Sequence, residues 1–193
     1  MRLRWLCIPV VLLYSIVIFA QAPADRGKAT TSIGGKEVTI DYGRPVLKGR
    51  SFEELAKKLP ADRMWRAGSG AVTTLNTAGS IVIGGKKIPA GKYSLYVTCP
   101  EQGDYSLVVN KDLGQPLVKI FPQAPANIAN DPYPHFDYTK EIASQEVTRV
   151  PMKKVTGAAV DVFTIDFKPA GKGATMVMSW GENIWSVDIA PGK

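Results

Sequence analysis

Ile83-Gly84-Gly85-Lys86-Lys87-Ile88-Pro89-Ala90-Gly91-Lys92-Tyr93-Ser94-Leu95 packs two turn signals into one short passage. Paired glycines accept the positive φ angles of a tight hairpin turn. Pro89-Ala90-Gly91 then turns the chain into a run in which Tyr93, Leu95 and Val97 recur with a period of two, the mark of a half-buried strand. The same hairpin signal stands upstream in Ile33-Gly34-Gly35-Lys36, and its following strand alternates Val38, Ile40 and Tyr42 with Glu37, Thr39 and Asp41. The flanks of the two glycine pairs diverge at once, so they read as two similar hairpins and not as a duplication.

Outward from these passages the period of two continues. Tyr105, Leu107 and Val109 carry it, as do Met176, Met178 and Trp180, and again Trp185, Val187 and Ile189. Asp161, Phe163, Ile165 and Phe167 give the same pattern with one charged end, and Gly181-Glu182-Asn183 reads as a turn between the last two strands. One helix is signalled near 51–59: Ser51 with Glu54 makes a capping box, Phe52, Leu55, Ala56 and Leu59 form an apolar stripe, and Pro60 ends it. Many short strands with one helical insertion predict an all-β, antiparallel β-sandwich, with a partly closed barrel as the alternative. The stretch Phe121–Pro134 is rich in Pro and Asn and reads as a surface loop of the kind that borders sites.

Arg2 and Arg4 followed by an uncharged run from Trp5 to Ala20 read as a signal peptide over residues 1–20, so the protein is expected to be exported, periplasmic or secreted, in a bacterium. The run is too short for a comfortable membrane span, and none is expected after cleavage. Residues 21–28 read as a disordered lead and 29–190 as a single domain. Loss of the leader removes Cys7 and leaves Cys99 without a disulfide partner, so stability must come from an ordinary core. A formal net charge of +7 suits acidic partners as well as plain solubility, and the chain carries no nucleic-acid recognition motif.

An ordered series of passages carries a family likeness: Val38-Thr39-Ile40-Asp41-Tyr42-Gly43-Arg44-Pro45, Lys48-Gly49-Arg50, Trp65-Arg66-Ala67-Gly68, the Ile83–Leu95 stretch, and Asn110-Lys111-Asp112-Leu113-Gly114-Gln115. In these the chain resembles the bacterial exported domain-of-unknown-function family DUF2911. The resemblance implies no reaction, cofactor or substrate. Two departures stand out. The family pattern leads one to expect an Asn-Glu pair where this chain has Gly70-Ala71-Val72-Thr73, and a Trp where it has Leu113.

Tyr42, Arg44, Lys48, Arg50, Trp65 and Arg66 form the candidate ligand-binding set. Guanidinium forks pair with acidic groups, and Tyr or Trp rings stack on sugars or on Arg planes. The same residues also suit an internal scaffold, with Arg44 or Arg66 paired to Asp41, Glu53 or Glu54 and Trp65 in the core. The expected function is a non-catalytic module that binds carbohydrate or another anionic envelope component. The alternatives are a hydrolase using strand carboxylates drawn from Asp41, Asp104, Asp161, Asp166 and Asp188, or a structural or protein-interaction domain. Asp131, His135 and Asp137 are too few for a metal centre, Ala67-Gly68-Ser69-Gly70-Ala71 is not a nucleophile elbow, and Cys99 reads as a buried thiol. No metal and no cofactor is expected, and the sequence leaves the oligomeric state open.

Overall fold

The computed structural model describes residues 25–192. The leader expected at 1–20 therefore lies outside the described residues. In chain order the elements are β1 (Arg26–Ile33), β2 (Lys36–Gly43), α1 (Phe52–Ala56), β3 (Met64–Trp65), β4 (Thr74–Thr77), β5 (Ile81–Ile83), β6 (Lys86–Ile88), β7 (Gly91–Thr98) and β8 (Ser106–Asn110). They continue with β9 (Gln115–Pro116), β10 (Pro132–Tyr133), α2 (Lys140–Ala143), β11 (Glu146–Pro151), β12 (Lys153–Ala170) and β13 (Gly173–Pro191).

Two antiparallel sheets face each other. The larger runs β1-β2-β4-β7-β8-β11, with β3 also paired to β7, and the smaller runs β12-β13-β5-β6. They do not close into a barrel, so the sandwich reading holds over its alternative. Both glycine hairpins form as read: Ile33 faces Lys36 across Gly34 (φ 58°) and Gly35 (φ 76°), and Ile83 faces Lys86 across Gly84 (φ 53°) and Gly85 (φ 83°). Positive φ at both central positions matches the right-handed twist of the flanking strands, which is why paired glycines stand there.

The helix forms with its capping box intact. Ser51 Oγ accepts from Glu54 N at 3.1 Å, and Glu54 Oε2 accepts from Ser51 N at 2.8 Å. The bond from the Ser51 backbone holds the Glu54 carboxyl below its usual value. α1 drops Phe52 and Ala56 into the core. There Phe52, Trp65, Phe163, Trp180 and Trp185 form one aromatic cluster; Phe52 and Trp185 centroids lie 4.8 Å apart, and Trp65 stacks on Trp180 at 5.6 Å. Such pairs contribute about 0.5–1.5 kcal/mol each beyond the burial of their area.

The Asp41–Arg50 block carries the chain between sheets. β2 ends at Gly43, and Pro45–Leu47 then lies against β12, with Leu47 N to Asp161 O at 2.9 Å and Phe163 N to Pro45 O at 2.9 Å. The β12–β13 register shifts on both sides of Val160, where β12 leaves its partner to meet this crossing segment.

Three expectations are corrected. β1 begins at Arg26, inside the stretch read as a lead, because Ala29 and Ile33 bury one face while Thr30 and Ser32 face outward. Gly181-Glu182-Asn183 is not a turn between strands but lies within the continuous β13. Buried positions run 174, 176, 178, 180 and then 183, 185, 187, 189, so parity switches at Gly181 (φ 60°), as an inserted bulge residue requires. A second short helix, α2, went unread; Thr139 caps it and Ile142 is its buried residue.

Candidate functional site

The structure does not bring the six candidate residues into one site. Tyr42 is 4% exposed and Trp65 7%. Tyr42 donates its hydroxyl to Ile165 O at 3.2 Å, bridging the sheets, and its ring meets Phe163 edge-on. Trp65 is enclosed by Phe52, Phe163, Trp180 and Trp185. Neither ring has a free face for a sugar, which corrects the expected stacking role. Both side chains sit on the inward parity of their strands.

The basic residues do not share one cleft. Arg44 Nη1 pairs with Asp25 Oδ2 at 3.1 Å. Arg50 folds back on the crossing segment, donating from Nε to Leu47 O at 2.8 Å and from Nη2 to Val46 O at 3.3 Å. Lys48 is exposed in a left-handed conformation (φ 53°), and its backbone N donates to Asp161 Oδ1 at 3.2 Å. The anticipated acidic partners are engaged elsewhere: Asp41 pairs with Arg26, Glu53 accepts from Asn183 and Glu54 caps α1.

Arg66 behaves differently. It lies with its guanidinium carbon 5.3 Å from the Tyr133 ring centroid and donates from Nη1 to Tyr133 Oη at 3.3 Å. It lines a cleft of about 360 Å³ that opens beside β3. Leu55, Leu59 and Pro60 form one wall, Met64, Arg66 and the rim of Trp65 the floor edge, and His135–Tyr138 the opposite wall. Tyr96 reaches the cleft from β7, on the parity opposite to Leu95 and Val97. It belongs to a second, smaller cluster with Met64 and Val108, packed against Tyr138.

The walls are tied together by polar contacts. Asp62 accepts from Met64 N at 2.9 Å and from Tyr138 N at 2.8 Å, so one carboxylate joins β3 to the facing segment. Buried Asn110 donates from Nδ2 to Tyr138 Oη at 2.8 Å and to Ile142 O at 2.7 Å, and Tyr138 Oη donates to Glu146 Oε1 at 2.9 Å. Burial holds the Tyr138 phenol well above its usual value. Arg63 (φ 56°) and Ala67 (φ 49°) bracket the floor in left-handed conformations, each costing about 1–3 kcal/mol for a non-glycine residue. Arg63 is held there by Nε to Cys99 O at 3.0 Å and Nη1 to Ala56 O at 2.8 Å.

Two polar atoms at this cleft lack hydrogen-bond partners among the described residues: Tyr96 Oη and His135 Nε2. Ser94 Oγ gives its proton to the Asp112 and Asn110 carbonyls and keeps its lone pairs as acceptors beside the Tyr96 phenol. Burial, and then the Asp112 carboxylate, push the Tyr96 phenol up to about 12, so it stands as a neutral donor. His135 Nε2 lies 3.2 Å from Asp112 Oδ1 but outside hydrogen-bond alignment, and that oxygen already accepts from Gly114 N at 2.8 Å. Phe136 stands at the mouth with 65% of its surface exposed.

Sequence reading found Trp65 and Arg66 of this cleft and weighed His135 and Asp137 only as metal ligands. It missed Tyr96, Asp62 and Tyr138. A signal for Tyr96 was present: it is a large aromatic at the polar parity of the Tyr93–Val97 alternation. Among the described residues no three His, Cys, Asp or Glu side chains gather as a metal set would. The strand carboxylates do not line the cleft either. Asp188 accepts from Thr175, Asp166 from its neighbour's backbone and Asp161 from Lys48. Cys99 is buried, with its thiol pushed up to about 12 by that burial, which leaves it unreactive as a thiolate.

The model of the family described as "Protein of unknown function (DUF2911)" matches residues 24–189. No curated protein and no solved structure matches the chain.

Proposed function

The chain belongs to the DUF2911 family, and from that premise we propose that it is a non-catalytic binding module whose cleft beside β3 takes an acidic sugar. The observation that carries this reading is Arg66, a guanidinium that lines the cleft, is oriented by the Tyr133 ring and forms no salt bridge among the described residues.

The surrounding chemistry narrows the ligand. Arg66 offers a guanidinium already oriented by Tyr133, which suits a carboxylate or sulfate. Exposed Phe136 offers an apolar ring at the mouth, which suits the face of a sugar. His135 stands on the same wall, its Nε2 turned inward toward Asp112. Asp62, the carboxylate nearest these groups in the chain, has both oxygens committed to backbone N–H groups and so does not compete for a hydroxyl donor. The leader expected at residues 1–20 supports an exported site of action, where envelope and extracellular glycans are the acidic partners at hand.

The reading is tested by titrating oligogalacturonate into the wild-type protein, Tyr96→Phe and Arg66→Gln by calorimetry. Tyr96→Phe removes an enclosed hydroxyl and keeps the ring, so it is expected to leave both binding and thermal stability close to the wild type. Arg66→Gln is expected to abolish measurable binding. Equal affinity in all three proteins, or none in the wild type, overturns the reading.

A further inference from the structure

We infer that the ligand is a chain that continues from the cleft onto a second hollow on the same outer face of the larger sheet; this rests on the binding reading above. The second hollow, of about 480 Å³, lies across β1, β2, β4 and β7 and is bordered by Asp131 and Pro132. Its lining from β1 and β7 includes Arg26, Lys28 and Lys92.

Strand parity fixes the relation between the two hollows. Lys92 and Tyr96 project from the same face of β7, the face opposite core residues Tyr93, Leu95 and Val97. Lys92 lines the second hollow and Tyr96 the cleft. Four residues of strand separate their Cα atoms by roughly 13 Å, a span that an extended oligosaccharide covers and a single sugar ring does not. One segment borders both hollows, with Asp131 and Pro132 at the second and His135 at the cleft.

The charges divide into those already used and those still available, among which Asp131 at the border opposes an anionic ligand and Lys28 and Lys92 favour one. Arg26 donates to Asp41 and to the carbonyls of Ala71 and Val72, so its guanidinium and the Asp41 carboxylate satisfy each other. Lys28 and Lys92 are exposed and form no salt bridge among the described residues. They come from distant points of the chain and are held apart by the rigid sheet, with β2 and β4 between them, roughly 14 Å at the usual strand spacing, over a floor that includes Thr74 and Asn76. Two point charges above hydroxyl and amide groups suit the repeating carboxylates of a polyuronate, since ammonium groups tolerate variable geometry while the floor bonds ring hydroxyls.

The experiment compares an oligogalacturonate dimer with an octamer, by calorimetry, on the wild type, the Lys28→Gln/Lys92→Gln double variant and Arg66→Gln. Both lysines are exposed, so the double variant is expected to keep its fold, checked by its thermal midpoint. The octamer is expected to bind the wild type about tenfold or more tighter than the dimer, beyond the statistical advantage of many registers, and the double variant to lose that gain while the dimer is unaffected. Equal affinity for dimer and octamer, or an octamer indifferent to the lysines, overturns the extended site while leaving the cleft reading intact if Arg66→Gln still abolishes binding. Failure of both lengths to bind overturns both.

Discussion

Met64 and Trp65 are neighbours in sequence and point to opposite sides of the larger sheet. Trp65 enters a cluster of five aromatic side chains whose contacts are ring against ring. Met64 enters a small cluster of Tyr96 and Val108, packed against Tyr138 and laced with hydrogen bonds through Asn110, Asp62 and Glu146. The inner cluster is close-packed and apolar, which is how a sandwich without disulfides acquires its stability. The outer one is small and polar, and the backbone beside it is strained at Arg63 and Ala67. One pair of strands thus supports the fold with one face and lines the proposed binding cleft with the other.

The largest expected effect tests the inner side. Trp65→Ala removes a ring that touches four others and should cost about 3–5 kcal/mol, read as a drop in the urea midpoint. A loss below about 1 kcal/mol would mean that the aromatic cluster is not the centre of stability. On the outer side, Asn110→Ala leaves the Ile142 carbonyl and the Tyr138 hydroxyl without their donor, and should cost about 2–3 kcal/mol while loosening the Tyr138 wall. Binding in that variant should fall more steeply than in a surface mutant of equal stability.

Alkaline pH probes both sides together. Cys99 and Tyr96 have values of about 12 in the folded protein against 9.0 and 10.0 as ordinary groups, because burial disfavours their anions. The unfolded chain therefore releases these protons first. The stability they confer is complete below pH 9.0 and is lost as pH rises towards 12. Urea midpoints measured between about pH 8 and pH 11 should fall, and Cys99→Ala should flatten the first part of the decline. The smallest effect belongs to Arg44→Gln. Its ion pair with Asp25 is exposed, so the change should cost no more than about 0.5 kcal/mol and leave binding untouched. A large loss of affinity there would restore Arg44 to the site and break the division between the two regions.

Local chemistry made much of the fold legible. Both hairpins follow from glycine pairs that need no tertiary help to prefer their turn, and the Ser51–Glu54 capping box is complete within one helical turn. Features that depend on distant partners were not legible. Nothing near Gly181 distinguishes a bulge from a turn until β12 is known to run alongside, and nothing near Arg26 marks a strand until Gly43 is known to lie opposite. Site reading failed for a related reason. Tyr42 and Trp65 were grouped with Arg44 and Arg66 by nearness in sequence, whereas parity sends the aromatic pair inward. Asp112, His135 and Tyr96 meet only because distant loops and strands converge, and no spacing in the sequence records that.

The parity switch at Gly181 restricts how this strand can change in length. On its far side Trp185, Val187 and Ile189 face the core only because the bulge has displaced the count by one. Inserting or deleting a single residue between 183 and 191 would turn the residues beyond it to solvent, whereas a change of two would preserve every inward position. Descendants of this sequence that lengthen or shorten the C-terminal half of β13 should therefore do so in even steps, or else gain or lose a bulge in the same event.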